Sequence, residues 1–134
     1  MPFPRPHLES FENPLRVQMA EVYLKERGVL GRVKTQQAPK VPIEMALSVH
    51  SEYLVDSVRL MTDLGSGQIG EAAYASPELL RSALRAVGGA VRAGEAVYEK
   101  EVRHAFSHMR PPGHHASIST AMGLCYFNNI AIAV

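Results

Sequence analysis

An α/β domain is what the sequence predicts, on three observations. The composition is globular, the second half of the chain runs helix, strand, loop, and the longest helical stretch carries interior glycines that call for a close neighbour. Its 134 residues are 46% apolar and 20% charged, which suits one domain of the usual size, roughly 100–150 residues. A net charge of +1 gives no electrostatic reason to expect nucleic acid or a membrane surface as partner. The one cysteine, Cys125, cannot form an internal disulfide, so a reduced, cytoplasmic setting is expected. The start MPFPRPHLES has no apolar core of signal-peptide length, and no apolar stretch reaches the ~20 residues that span a bilayer.

Met1 to Phe11 reads as an irregular lead-in, because its prolines discourage helix and central strand alike. Asn13 followed by Pro14 is a helix start with a side-chain cap and proline at the first position. Leu15, Met19, Val22 and Tyr23 then lie on one face up to Gly28. A short strand around Val33 is compatible with the broken pattern that follows. Between Ile43 and Met61 apolar residues return at helical spacing, clearest at Leu54, Val55, Val58 and Met61, and Gly65-Ser66-Gly67 closes the run. Ser76-Pro77 opens the longest helix, with a stripe of Leu80, Leu84, Val87 and Val91. Gly88, Gly89 and Gly94 interrupt it, each costing about 1 kcal/mol relative to alanine, which predicts tight packing on a sheet. Val102 to His108 reads as a buried strand entering a loop, and Asn128 as the cap of an apolar helix from Asn129.

That loop, Arg110-Pro111-Pro112-Gly113-His114-His115-Ala116, sets two adjacent imidazoles behind residues that constrain the backbone. In a regular strand neighbours point to opposite faces, so only an irregular path lets both rings share one pocket. Histidine transfers protons near neutral pH, and a pair can act as base and acid. From these residues alone, a surface loop with two histidines fits as well as a catalytic pair. His104 and His108 make a poor metal site without a carboxylate or thiolate beside them and read as core or supporting histidines. Cys125 reads as a small buried side chain, Tyr126-Phe127 as core, and Tyr98 to Arg103 as a solvated helix end.

The loop, followed by Met122-Gly123-Leu124-Cys125-Tyr126-Phe127-Asn128-Asn129 and the apolar Ile130 to Val134, resembles the signature of histone deacetylases, acetylpolyamine amidohydrolases and acetoin-utilisation proteins. His7-Leu8-Glu9 with Glu12-Asn13-Pro14-Leu15-Arg16 is similar to an early segment of that superfamily, and Val49-His50-Ser51-Glu52-Tyr53 to its next helix. The resemblance implies the amino-terminal portion of an arginase/deacetylase-like three-layer α/β fold with a mostly parallel sheet. It also implies hydrolysis of an acetylated lysine or a small acetylated amine, with zinc polarising the acyl carbonyl and activating water. By the same resemblance His115 is the general base, and His114 is its partner that supports charge and returns a proton to the amine. Gly123 and Leu124 correspond to the wall of the substrate channel, where relatives usually have phenylalanine at the second position. Gly70-Glu71-Ala72 stands where many relatives have Gly-Asp-Thr.

The superfamily's zinc ligands, an Asp-x-His segment and a second aspartate, fall after the Phe-Asn-Asn segment, and its transition-state tyrosine later still. The aspartates here are Asp56 and Asp63, neither followed by histidine two residues on, so zinc is expected for the complete enzyme and not at a site built from this chain. The single domain 1–134 is expected to be incomplete and inactive alone, to associate with itself or to need carboxy-terminal polypeptide. The alternative is a non-catalytic remnant or partner-binding module of the same fold.

Overall fold

The structure is a computed structural model that describes residues 12–134; the lead-in to Phe11, with His7-Leu8-Glu9, lies outside the described residues. The chain divides into two compact units, Met1–Gln37 and Ala38–Val134.

In the first unit, α1 spans Pro14–Glu26. Its start is the predicted one: the Asn13 side chain accepts the Arg16 N–H at 3.3 Å, satisfying one of the donors every helix leaves free at its first turn. Leu15, Met19, Val22 and Tyr23 are all exposed. Val33 is exposed and forms no strand.

In the second unit, the apolar run from Ile43 resolves into two pieces, a 3-10 helix over Ile43–Ser48 and α2 over Glu52–Leu64. Ser51 caps α2 through its side chain and Gly65 ends it in the left-handed conformation, φ +73°, where glycine carries no Cβ penalty. Leu54, Val55 and Val58 are buried, as their spacing predicts. A short antiparallel ladder follows, β1 (Gln68–Gly70) and β2 (Ala73–Tyr74). Beyond it, Glu71 pairs in parallel with Met122 and Met122 antiparallel with Cys125.

Helix α3 covers Leu79–Tyr98, starting after the Ser76-Pro77 turn and running unbroken through its glycines. Its buried face is Leu79, Ala83, Ala86, Val87, Gly88 and Ala96, one step round from the predicted stripe, since Leu80, Leu84 and Val91 are only half-buried. The predicted close neighbour exists, but it is not a sheet. A Cβ on Gly88 would stand 2.3 Å from the Pro39 carbonyl oxygen, and one on Gly89 would meet Ser107 and Met109 at 2.7 and 2.8 Å. Irregular chain on either side of α3 takes the place assigned to strands. Val102 to His108 is one of these segments. It has no ladder partner among the described residues, and Phe106 is 85% exposed; a strand is held by a ladder of hydrogen bonds to a neighbouring strand, and no such ladder forms on this segment among the described residues. The solvated end of α3 is as predicted, with Arg92 and Glu101 paired at 2.7 Å. The hydrogen bond to Glu101 pushes the Arg92 guanidinium above its ordinary value.

Finally α4 (Asn129–Ala133) packs on α3, capped by Asn128, whose side chain accepts the Ala131 N–H at 3.1 Å. The core joins Leu54, Val55 and Val58 of α2, Leu79, Ala83 and Val87 of α3, and Ala46, Ala73, Ala121 and Phe127. No helix among the described residues is long and apolar enough to cross a membrane.

Candidate functional site

The segment from Arg110 to Asn128 has almost no regular structure, so its path is set by packing and by individual hydrogen bonds. The Arg110–Pro111 peptide bond is cis, and Pro111 is buried. Gly113 is buried too, and a Cβ there would lie 2.1–2.5 Å from the side-chain amide of Asn129. Its carbonyl accepts the Ile130 N–H at 3.3 Å. The loop therefore enters the site wedged against the first turn of α4.

His114 and His115 leave that wedge together. Their ring centroids are 4.2 Å apart with 43° between the planes, and both residues are exposed. The irregular loop does bring the pair to one side, as the sequence requires of two neighbours that act together. Beneath them lies Cys125, fully buried, whose Sγ accepts the His114 N–H at 3.4 Å while its S–H donates to the Gly123 carbonyl at 3.5 Å. Cys125 is thus more than a small filler; it ties the two halves of the site.

Gly123 and Leu124 form the turn beside His115. Met122 and Cys125 exchange both backbone hydrogen bonds, at 3.1 and 2.9 Å, and the two residues between have φ of +57° and +67°. That is a two-residue hairpin turn with both central residues left-handed. A Cβ on Gly123 would stand 2.8 Å from the His115 ring, so the imidazole rests on bare backbone. The Gly123 N–H donates to the Glu71 carbonyl at 3.0 Å, and a Cβ on Gly70 would fall 1.8 Å from the Ala121 carbonyl oxygen. The Gly70-Glu71-Ala72 segment thus serves the site through its backbone, while Glu71 itself is exposed.

Two residues close the far side. His50, 4% exposed, reaches Ser117 and Asn128, and the Asn128 side chain donates to the Ala116 carbonyl at 3.0 Å. Asn128 shows in the sequence as a cap, but its hold on Ala116 does not. His50 stands inside the Val49 to Tyr53 resemblance with nothing to mark its bonds, since its partners are 67 and 78 residues away. Tyr126 fixes the same layer: its hydroxyl accepts the Tyr74 N–H at 3.0 Å and donates to the Tyr74 carbonyl. Phe127 is core, as expected.

Among the described residues no group of three or more His, Cys, Asp or Glu side chains is placed to hold a metal. Asp56 and Asp63 both lie exposed on α2. His104 is exposed rather than core, and the half-buried His108 stacks 6.2 Å from Phe106. Among the described residues, then, no set of side chains fits a zinc ion.

Comparison with known proteins gives this arrangement its relatives. A family model described as a histone deacetylase domain matches residues 10–134. A histone deacetylase-like amidohydrolase of Pseudomonas aeruginosa is 34% identical over 128 residues, 96% of this chain and 33% of that protein. A probable deacetylase of Archaeoglobus fulgidus is 38% identical over 113 residues, 83% of this chain and 31% of the other. The human polyamine deacetylase HDAC10 is 35% identical over 131 residues, 92% of this chain and 19% of that protein. The solved HDA15 HD domain superposes with a TM-score of 0.85 at 31% identity, covering 91% of this chain and 35% of its own. The chain spans about a third of the length of the first two relatives. What it folds into is part of the α/β, arginase/deacetylase-like fold of that domain. With the match running over nearly all of its residues, the chain belongs to the histone deacetylase domain family.

Proposed function

We propose that this chain is the amino-terminal part of a deacetylase that hydrolyses the amide of an acetylated lysine or a small acetylated amine, with His115 and His114 as its proton-transfer pair. The observation that carries this is the exposed imidazole pair, 4.2 Å between centroids, on a loop pinned from both ends. Hydrolysis of an amide forms a bond from water oxygen to the acyl carbon and breaks the bond from that carbon to nitrogen. The water must lose a proton and the departing amine must gain one. His115, seated on the bare backbone of Gly123, takes the first; His114 supports the charge and supplies the second. Gly123 and Leu124 form the wall beside them. Leucine there offers less flat surface to an acyl-lysine stem than an aromatic ring does.

Zinc goes with the complete enzyme of this reading, where it supplies polarisation of the carbonyl and of water; the described residues supply the proton-transfer pair alone. The partners are acetylated amines rather than nucleic acid or a membrane, and a cytoplasmic setting fits the single thiol. The 1–134 segment is read as one incomplete domain.

Reading the nucleotide sequence past the codon for Val134 tests the assignment. A frame encoding Asp-x-His nearby is expected, and its absence over several hundred bases favours a non-catalytic remnant. At the protein level, the purified chain with zinc should not turn over an acetyl-lysine peptide. In a full-length protein carrying this segment, His115→Ala should lower kcat by roughly 10²–10⁴-fold; retained turnover there removes His115 from the chemistry.

A further inference from the structure

We infer that His50 is a positioning residue for the His114–His115 loop, acting through a neutral imidazole that ties the backbone following the pair to the cap of α4. The inference rests on the proposed role of the pair, but the geometry it describes can be tested without catalysis.

Residues His114 to Thr120 lie in no helix or strand, so nothing periodic sets their direction. What holds them is a bracket of single bonds. His50 Nδ1 lies 2.8 Å from the Ser117 carbonyl, and its Nε2 accepts the Asn128 N–H at 2.9 Å. A carbonyl only accepts and an amide N–H only donates, so the ring must carry its proton on Nδ1 and keep a lone pair on Nε2. The next residue extends the bracket. The Ser51 N–H donates to the Ile118 carbonyl at 2.9 Å, and the Ser119 hydroxyl donates to Ser51 Oγ at 2.9 Å. Asn128 closes it by donating to the Ala116 carbonyl at 3.0 Å. The two residues directly after His115 are thus both held by their carbonyls. Asn128 holds the first and His50 the second, and His50 is a buried side chain just ahead of α2, reached across 67 residues of sequence.

His50 also packs on Phe127, with ring centroids 5.6 Å apart, so a filler role has to be separated from a positioning one. Three substitutions do this. His50→Phe keeps the volume and loses both bonds. His50→Asn keeps a donor near the Nδ1 position, and His50→Gln an acceptor near the Nε2 position. The readout is the nuclear magnetic resonance spectrum of the imidazoles in the 134-residue chain, in mildly alkaline buffer, where the paired rings of His114 and His115 shift one another's signals. Positioning predicts that His50→Phe collapses these signals toward those of free histidine, while Asn and Gln stay closer to the wild type. A filler predicts the reverse order, with Phe nearest to wild type, and that order overturns the proposal. Should His50→Phe not fold, His50→Leu takes its place as the variant that loses both bonds, and wild-type His115 signals in it overturn the proposal as well. In the unmodified chain the His50 ring nitrogens should report the Nδ1–H form; the Nε2–H form rejects the proposal with no variant at all. Failure of the deacetylase reading shows in turnover and leaves these spectra untouched.

Discussion

His115 sits where it does because position 123 has no side chain. A Cβ there would meet the imidazole at 2.8 Å, and the φ of +57° disfavours any L-residue by about 1–2 kcal/mol. Gly123→Ala should therefore lower stability by about that amount and displace the His115 ring signals; unchanged signals would show that the ring does not rest there. Leu124 is the opposite case, a bulky residue at φ +67°. Relief of its strain, about 1–2 kcal/mol, outweighs the roughly 0.5–1 kcal/mol that glycine adds in backbone entropy. Leu124→Gly should raise the urea midpoint by the equivalent of up to ~1 kcal/mol, and a fall would contradict the strain. The left-handed pair was not legible in Gly123-Leu124, because leucine is not a turn residue and only its neighbours force it into that conformation.

Within α3 the glycines divide. Gly94 has only the Ala133 carbonyl oxygen near its missing Cβ, at 3.5 Å, an ordinary contact. Gly94→Ala should then gain the usual helix propensity, about 1 kcal/mol. Gly88→Ala gains the same propensity but meets the Pro39 carbonyl at 2.3 Å, so backbone must move and the substitution should destabilise, at the ~1–3 kcal/mol of an overpacked core. Thermal melts of the two variants displaced in the same direction would disprove that contrast. The interior glycines were legible as a sign of close approach. What approaches was not, because Pro39 and Ser107 come from segments whose own sequences show no period. Local devices were the readable ones: the Asn13 and Asn128 caps each bond to a backbone N–H three residues on, whereas the Ser51 cap, of the same kind, was not read from the sequence. The ladder of β1 and β2 escaped, being three and two residues long, too short for alternation to register. The Val102 to His108 strand was read from its own residues, whereas pairing depends on a neighbour.

For the molecule as a whole, the second unit depends on one cluster that joins both long helices to the signature segment, with Phe127, 1% exposed, among its largest members. Phe127→Ala should cost about 3–5 kcal/mol, a large share of the 5–15 kcal/mol that an entire domain usually commands. Loss of the helical circular dichroism signal at room temperature is the expected result, and a fully folded variant would place the centre of stability elsewhere. Phe106, Ile118, Ile130 and Val134 all lie open, which predicts sedimentation faster than a monomer as concentration rises. The His114 and His115 loop and the core are joined at Cys125, and this makes the protein its own instrument. The only thiol in the sequence is sealed beneath the His114 amide, so an alkylating reagent can reach it only in molecules whose loop has lifted. When closing outruns labelling, the labelling rate divided by that of a free thiol is the open fraction, and its logarithm is the free energy of lifting the loop. Set beside the energy of global unfolding, that number tells whether the two histidines move alone or with everything under them.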